Sequence, residues 1–395
     1  MPWKQKKLPL TINRIVWDGI ESEYLQDVLE RDWFGPGYYA AELEKTLCKQ
    51  TGVKQAQLTN SGSSALLMAT QTLQQAGRWD KGDLILHPAC TFPTSCNPIW
   101  QSGMIPVFVD VEEGTYNIDT DAVEMALKKH PEIKGAIIPH LIGNIANWGL
   151  LRELMGDRPI IEDSCDTIGG TYDGRQVGSL GDIAAFSFYG SHHITTAGVG
   201  GAALTNDYTL YRLIKSMTFW GRQFINTGDA YFDFTQRYTY ETIGYDMQMT
   251  EIQAAFGLAQ MTRLEEMNIS RRNQFDLLQG LMQQWEEWLV LPVEHPKAQP
   301  SWFGYPLTIR ESAPFDRSHF ATWLIDKKVE IRPLFAGNLT RQKAYHKVPY
   351  VIVGDLTQSD RNMERALFLP AWGGMTVEQT QYLFETITEF MEQWL

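Results

Sequence analysis

The sequence predicts an α/β protein built on a largely parallel sheet covered on both faces by helices. Three observations carry this. Over the first two thirds of the 395 residues, short β-rich runs alternate with helical stretches. Runs such as Ile160-Ile161 and Ile183–Phe188 are apolar throughout, as buried strands are. No internal repeat, low-complexity tract or linker interrupts the pattern. Strands are predicted at 56–58, 83–86, 105–109, 135–138, 159–161, 183–188 and 202–204, with helices at 63–75, 119–129 and 150–155 between several of them. From 249 to 288 the pattern is helical and charged, long enough to bridge two domains. Beyond Pro292 a smaller α+β region follows, with a strand at 305–309, a helix at 318–327 and a closing helix at 377–394. The boundary falls within the bridging helix, so residues 1–255 form the large domain, and 256–395 the bridging helix and small domain.

Composition narrows the function. A chain with 44% hydrophobic and 12% aromatic residues is neither disordered, nor a small disulfide scaffold, nor fibrous. Its net charge of −13, offset only by the short basic stretch Lys4–Lys7, argues against nucleic-acid binding; an anionic ligand needs a local site. No run of about 18 apolar residues occurs. The start, MPWKQKKLPLTIN, lacks the apolar core of a signal peptide, so a soluble, cytoplasmic protein without membrane contact is expected. Cys48, Cys90, Cys96 and Cys165 form no CxxC pair and no zinc spacing, which suits a reducing compartment and gives no metal site.

Three stretches could carry chemistry. Asn60-Ser61-Gly62-Ser63-Ser64 links a predicted strand to a predicted helix, so its amides and hydroxyls could face a phosphate; it also reads as an ordinary cap. Ile160-Ile161-Glu162-Asp163 puts a carboxylate at the C-terminal end of a strand, where α/β proteins place their sites. There Asp163 could hold a protonated pyridine nitrogen, or simply cap a helix. Strand 183–188 runs into Ser191-His192-His193-Ile194-Thr195-Thr196, whose two imidazoles point to opposite faces if the strand continues; only one then aims into a given site. No third ligand sits near enough in sequence for zinc.

In order and spacing these stretches resemble the PLP-dependent nucleotide-sugar aminotransferase and dehydratase family (the DegT/DnrJ/EryC1/StrS type), which has the type I aspartate-aminotransferase fold. The likeness runs from about Trp33 to the C-terminus, through NSGSSALL, ACTFPTSCNPI, PVFVDVEEGTYNID, IEDSCDTIGG, SFYGSHHITT and IGYDMQMTEIQAAFGLAQMTRLEE. It implies a large domain with a mostly parallel seven-stranded sheet, a homodimer, and pyridoxal phosphate or its amine form, PMP, as cofactor. Carried over, Gly62, Ser63 and Ser187 bind the cofactor phosphate, Phe92 stacks on the pyridine ring and Asp163 pairs with its nitrogen. Asp166 falls where aminotransferases carry Gln near the phenolic oxygen. His192 aligns with their Schiff-base lysine. An imidazole there can still move a proton near neutral pH. Such a histidine, with Asp166, resembles the 3-dehydratases of nucleotide-linked 4-keto-6-deoxyhexoses, enzymes of deoxysugar and lipopolysaccharide O-antigen biosynthesis.

The segments Ser301–Gly304 and Arg332–Gln342 also resemble those dehydratases. They add Trp302, Phe303, Arg332, Asn338 and Arg341, together with His193, as sugar- or pyrophosphate-binding candidates; His140 and Asn144 are lesser ones. The resemblance distinguishes a reductase-fed subtype with a [2Fe–2S] cluster from one that restores PMP with L-glutamate. Here Trp220-Gly221-Arg222 is followed by no cysteine, so no iron–sulfur cluster is expected and glutamate is the expected amino donor. Two departures stand out. Ala197-Gly198-Val199-Gly200-Gly201 replaces the family's GEGG, and Asp246 replaces an Asn that reaches the neighbouring subunit's cofactor phosphate, implying weaker phosphate binding or another donor. A dehydratase fed by a separate reductase, and a non-catalytic cofactor or nucleotide-sugar binding protein, are the other readings open at this point.

Overall fold

The computed structural model describes residues 10–224 and 234–395. Its larger sheet is built mainly from β1 (Gln55–Thr59), β2 (Leu84–Pro88), β3 (Ile105–Val109), β4 (Gly135–Pro139) and β5 (Ile160–Asp163). After the short hairpin of β6 (Thr171–Tyr172) and β7 (Arg175–Gln176) come β8 (Ile183–Ser187) and β9 (Gly201–Thr205). All seven expected strands are present. The centre, β8-β5-β4-β2-β3, is parallel, while β9 runs antiparallel to both β8 and β1. Successive strand residues supply opposite sides of the sheet. Leu86, Val107, Ile138, Ile160 and Ala184 enter one apolar cluster, and Ile85, Phe108, Ile137, Ile161 and Ala185 another. Burial on both faces is why these runs read as continuously apolar.

The helices follow their caps. Asp119 accepts from the amides of Asp121 and Ala122 and starts Thr120–Lys129; Thr250 and Gln253 form a reciprocal capping box that starts Glu251–Met261. The predicted bridging stretch is two helices rather than one, Glu251–Met261 and Leu264–Met282.

A second sheet, in the order β10-β12-β15-β13, comprises β10 (Leu289–Val290), β12 (Tyr305–Ile309), β13 (Arg332–Pro333) and β15 (Ala366–Leu369), while β11 (Ala298–Gln299) pairs with β6. The last short strand, β14 (Val351–Ile352), leaves this region and joins β3 in parallel, making the large sheet eight-stranded rather than the expected seven. In the opposite direction Leu10 and Ile12 pack into the apolar cluster of the second sheet. Among the described residues, no helix is long and apolar enough to cross a membrane.

Candidate active site

A cavity of about 920 Å³ opens between the C-terminal ends of the parallel strands and the second sheet. This is where parallel strands leave a crevice, because the chain turns away from the sheet toward helices on either face. Each wall can be traced to a local feature of the sequence.

The first wall is the start of helix Gly62–Gln75. Ser61 caps it, its Oγ accepting from the Ser64 amide at 3.1 Å, while the Ser64 hydroxyl donates to Asn60 Oδ1 at 2.6 Å. Gly62 is required by close approach rather than by φ: a Cβ there would lie 2.6 Å from Ser187 Cβ, at the end of β8. Gly62, Ser63 and Ser187 therefore share one side of the cavity. The wall combines free helix-end amides with hydroxyls, the donor set that favours an anion.

Asp163, the last residue of β5, forms the floor and is almost fully buried. Its Oδ2 accepts from Ser95 Oγ at 2.5 Å and its Oδ1 from the Cys165 amide at 3.2 Å. Ser95 went unread in the sequence. It stands three residues after the lining residue Phe92, in the first turn of helix Pro93–Gln101, and that spacing was the available signal. Phe92 lies half exposed against the cavity, edge-on to Phe335.

His192 and Asp166 face each other, with Nε2 and Oδ1 4.0 Å apart. The His192 Nδ1–H donates to the Cys165 carbonyl at 2.8 Å, so in the neutral ring the lone pair sits on Nε2. Burial is the largest influence on His192 and pushes it down to about 4; the hydrogen bond to the Cys165 carbonyl opposes it, and the Arg271 and Arg332 cations add smaller downward pushes. Burial, then repulsion from Asp163, pushes Asp166 up to about 8. At neutral pH the pair is a neutral imidazole beside a protonated carboxyl. The segment carrying His192 is a turn and not a continued strand, with the His192 amide donating to the Tyr189 carbonyl at 2.9 Å; the two imidazoles nonetheless diverge.

Of the sequence-selected residues, Gly62, Ser63, Phe92, Asp163, Asp166, Ser187, His192, Phe303 and Arg332 line this cavity, as does His140. The others do not. His193 is turned away and donates from Nε2 to the Ser301 carbonyl at 2.8 Å. Trp302 stacks on Phe275 at 4.4 Å and donates to Glu294, so its ring is core rather than a ligand platform. Asn338 caps the turn at Thr340 and donates to Asp360, and Arg341 pairs with the same carboxylate through Nε and Nη2 at 2.9 and 2.7 Å. Asn144 spends its amide on the Thr115 and Val293 carbonyls. Even His140, though at the edge, donates to the buried Glu162 carboxylate at 3.3 Å, which also accepts from the Leu180 and Gly181 amides. Asp246 is exposed and bonded to Gln248. Tyr189, Phe335, Tyr345 and Phe368 are aromatic lining residues that were not singled out from the sequence.

A parallel α/β sheet ending in an anion-binding helix start, a buried carboxylate and an aromatic face defines the cofactor-binding class of the type I aminotransferase-like fold. The chain belongs to the DegT/DnrJ/EryC1/StrS aminotransferase family, whose model matches residues 18–388. The lipopolysaccharide biosynthesis protein RfbH of Salmonella typhimurium is 38% identical over 379 residues, covering 91% of this chain and 86% of that protein. A dTDP-4-dehydro-2,6-dideoxy-D-glucose 3-dehydratase of Saccharopolyspora spinosa is 35% identical, covering 90% and 80%. Among solved structures, Escherichia coli GDP-4-keto-6-deoxy-D-mannose-3-dehydratase with bound hydrated PLP superposes with a TM-score of 0.89 at 25% identity, covering 95% of this chain and 98% of that one. The residues present fit pyridoxal phosphate: donors for its phosphate, a carboxylate for its ring nitrogen and an aromatic face line one cavity.

Proposed function

We propose that the protein is a PMP-using 3-dehydratase of a nucleotide-diphosphate 4-keto-6-deoxyhexose, working as a homodimer, with L-glutamate restoring the amine. One observation carries this reading: no lysine is among the described residues lining the cavity, while His192 is. Lys215, the nearest lysine downstream, lines a different and smaller cavity beside Phe224. With no side-chain amine available to hold it covalently, the cofactor is bound by non-covalent contacts alone. The 3-dehydratases among the relatives support the same reading.

When bound, the cofactor supplies an amine for the substrate's C4 ketone and a ring that takes up electron density. Gly62, Ser63 and Ser187 hold the phosphate, and Phe92 covers the ring. Asp163, oriented by Ser95, keeps a proton on the ring nitrogen through a charge-assisted hydrogen bond. With the cofactor bound, His192 Nε2, the unprotonated nitrogen of the neutral ring, would take up a proton beside the cofactor amine and return one to the 3-hydroxyl, which would leave as water. Asp166, protonated at neutral pH, places no negative charge beside Nε2 while that transfer occurs. Arg332 offers its guanidinium to the pyrophosphate or sugar oxygens. Overall, substrate and L-glutamate give the 3-deoxy-4-keto sugar, 2-oxoglutarate and ammonia, so glutamate is the net reductant.

The test is mass spectrometry of GDP-, CDP- and dTDP-linked 4-keto-6-deoxyhexoses incubated with the protein, PLP and L-glutamate, without any reductase. Loss of one sugar oxygen with matching 2-oxoglutarate is expected from one of them. If all three sugars return unchanged, the reading fails.

A further inference from the structure

The segment Ser301–Trp302–Phe303 is gripped from several directions at once. Asn268 Oδ1 accepts from Ser301 Oγ at 2.9 Å while its amide holds the Ile168 carbonyl at 3.0 Å. One helical turn later, Arg271 Nη1 donates to the Trp302 and Phe303 carbonyls at 3.4 and 3.3 Å. His193 holds the Ser301 carbonyl, and the Phe303 amide donates to the Ile142 carbonyl at 2.9 Å. The fit leaves no slack: a Cβ on Gly143 would fall 2.4 Å from the Ser301 oxygen and 2.7 Å from the Phe303 nitrogen. Phe303 then stands edge-on to His192, with ring centres 5.2 Å apart.

Arg271 is unusual among these. It is 2% exposed, its Nε has no partner, and no carboxylate pairs with it among the described residues. A guanidinium stays charged when buried, and burying it unpaired costs several kcal/mol. That cost is met at one turn: among the described residues, both hydrogen bonds of the guanidinium go to the Trp302 and Phe303 carbonyls. Its charge also disfavours protonation of His192 and His193, less than their burial does.

We infer that Arg271 and Asn268 are positioning residues that fix the Ser301–Phe303 turn, so that Phe303 closes one side of His192. The inference rests on the proposal that His192 carries the proton. The groups facing His192 are the Cys165 carbonyl, Asp166, Asp163 below it, Tyr189, His193 and the Arg332 cation. Arg271 lies outside the cavity lining, where a substrate would not touch it.

The test uses NMR titration of ring-labelled histidine in the full chain without cofactor, with the His192 signal assigned by its absence in His192→Asn. Arg271→Met, which loses both carbonyl contacts and loosens the Phe303 cover that helps bury His192, is expected to raise the His192 midpoint, and to lower kcat about tenfold with KM within about threefold. Arg271→Lys keeps the charge but loses the planar fork, so the midpoint is expected to rise and kcat to fall in this variant too. An unchanged midpoint in Arg271→Met overturns the inference. If the methionine variant does not fold, an unchanged midpoint in Arg271→Lys overturns it instead. Because the titration needs neither cofactor nor substrate, it is independent of whether the sugar assay succeeds.

Discussion

The end of the large sheet and the stretch from Arg332 to Gln342 carry comparable densities of polar side chains and use them in opposite ways. At the strand ends, Asp163, Asp166, Ser187 and His192 all reach the cavity, and their protein partners orient them from behind without consuming them. In the Arg332 stretch the polar residues at the cavity are Arg332 and Gln342, and Gln342 already donates to the Ala336 carbonyl at 3.0 Å; Asn338 and Arg341 close on Asp360 instead. Donors are thus left for a ligand where strands end and helices begin, since the backbone geometry there already satisfies the neighbours. In an irregular connection the same side chains are taken up by the turns they stabilise.

The largest effect that would sharpen this contrast comes from His192→Asn. Turnover is expected to drop by about 10²–10⁴, the usual worth of a general acid–base group, with PLP binding, read by difference absorbance, unchanged. Retained turnover would break the assignment at the strand end.

Next is the titration of Asp166. In the cofactor-free protein its carboxyl is held near 8 against an ordinary 3.8, so the folded form keeps a proton that the unfolded chain loses. Stability from this group is therefore full below pH 3.8 and is lost as the pH rises toward 8. His192, pushed down to about 4, works in the opposite sense, adding stability as the pH rises from there to 6.5. Denaturant unfolding of Asp166→Asn relative to wild type isolates the first: little difference at pH 4 and a gain on the order of 1–3 kcal/mol at pH 8. A gain equal at both pH values would contradict the buried, protonated state.

The smallest effects come from the two arginines. Arg332→Gln is expected to raise KM for the nucleotide sugar about tenfold, the loss of one charge-assisted contact. Arg341→Gln, which breaks only an exposed pair, should stay within about 0.5 kcal/mol in stability and leave KM alone. Equal KM changes for both would erase the distinction between the two regions.

The sheet was legible because its strands are short, apolar and separated by well-capped helices; Asp163 was legible because it ends such a strand. Three things were not. The short β14 has too few residues to stand out by pattern, and its pairing with β3 is set by tertiary contacts alone. Ring partners such as Phe275 for Trp302 lie on another element, so a ligand-stacking aromatic and a core aromatic look alike in one dimension. The break between Met261 and Leu264 carries no proline or glycine of its own, and the glycines of the run, Gly257 and Gly280, lie inside the two helices instead.

The exchange of segments between the two sheets has a consequence for how the chain acquires its structure during synthesis. Leu10 bridges to Val329 and its carbonyl accepts from the Glu330 amide, while Val351 and Ile352 close the β3 edge. A nascent chain emerging from the ribosome cannot finish the first sheet until residue 352 has been made, and its opening segment has no partner until residue 329 appears. The β3 edge therefore stays open through most of translation, which exposes the intermediate to mispairing. Cutting the polypeptide between the sheets would yield two fragments, each missing a piece held by the other, and the two should regain solubility only when expressed together.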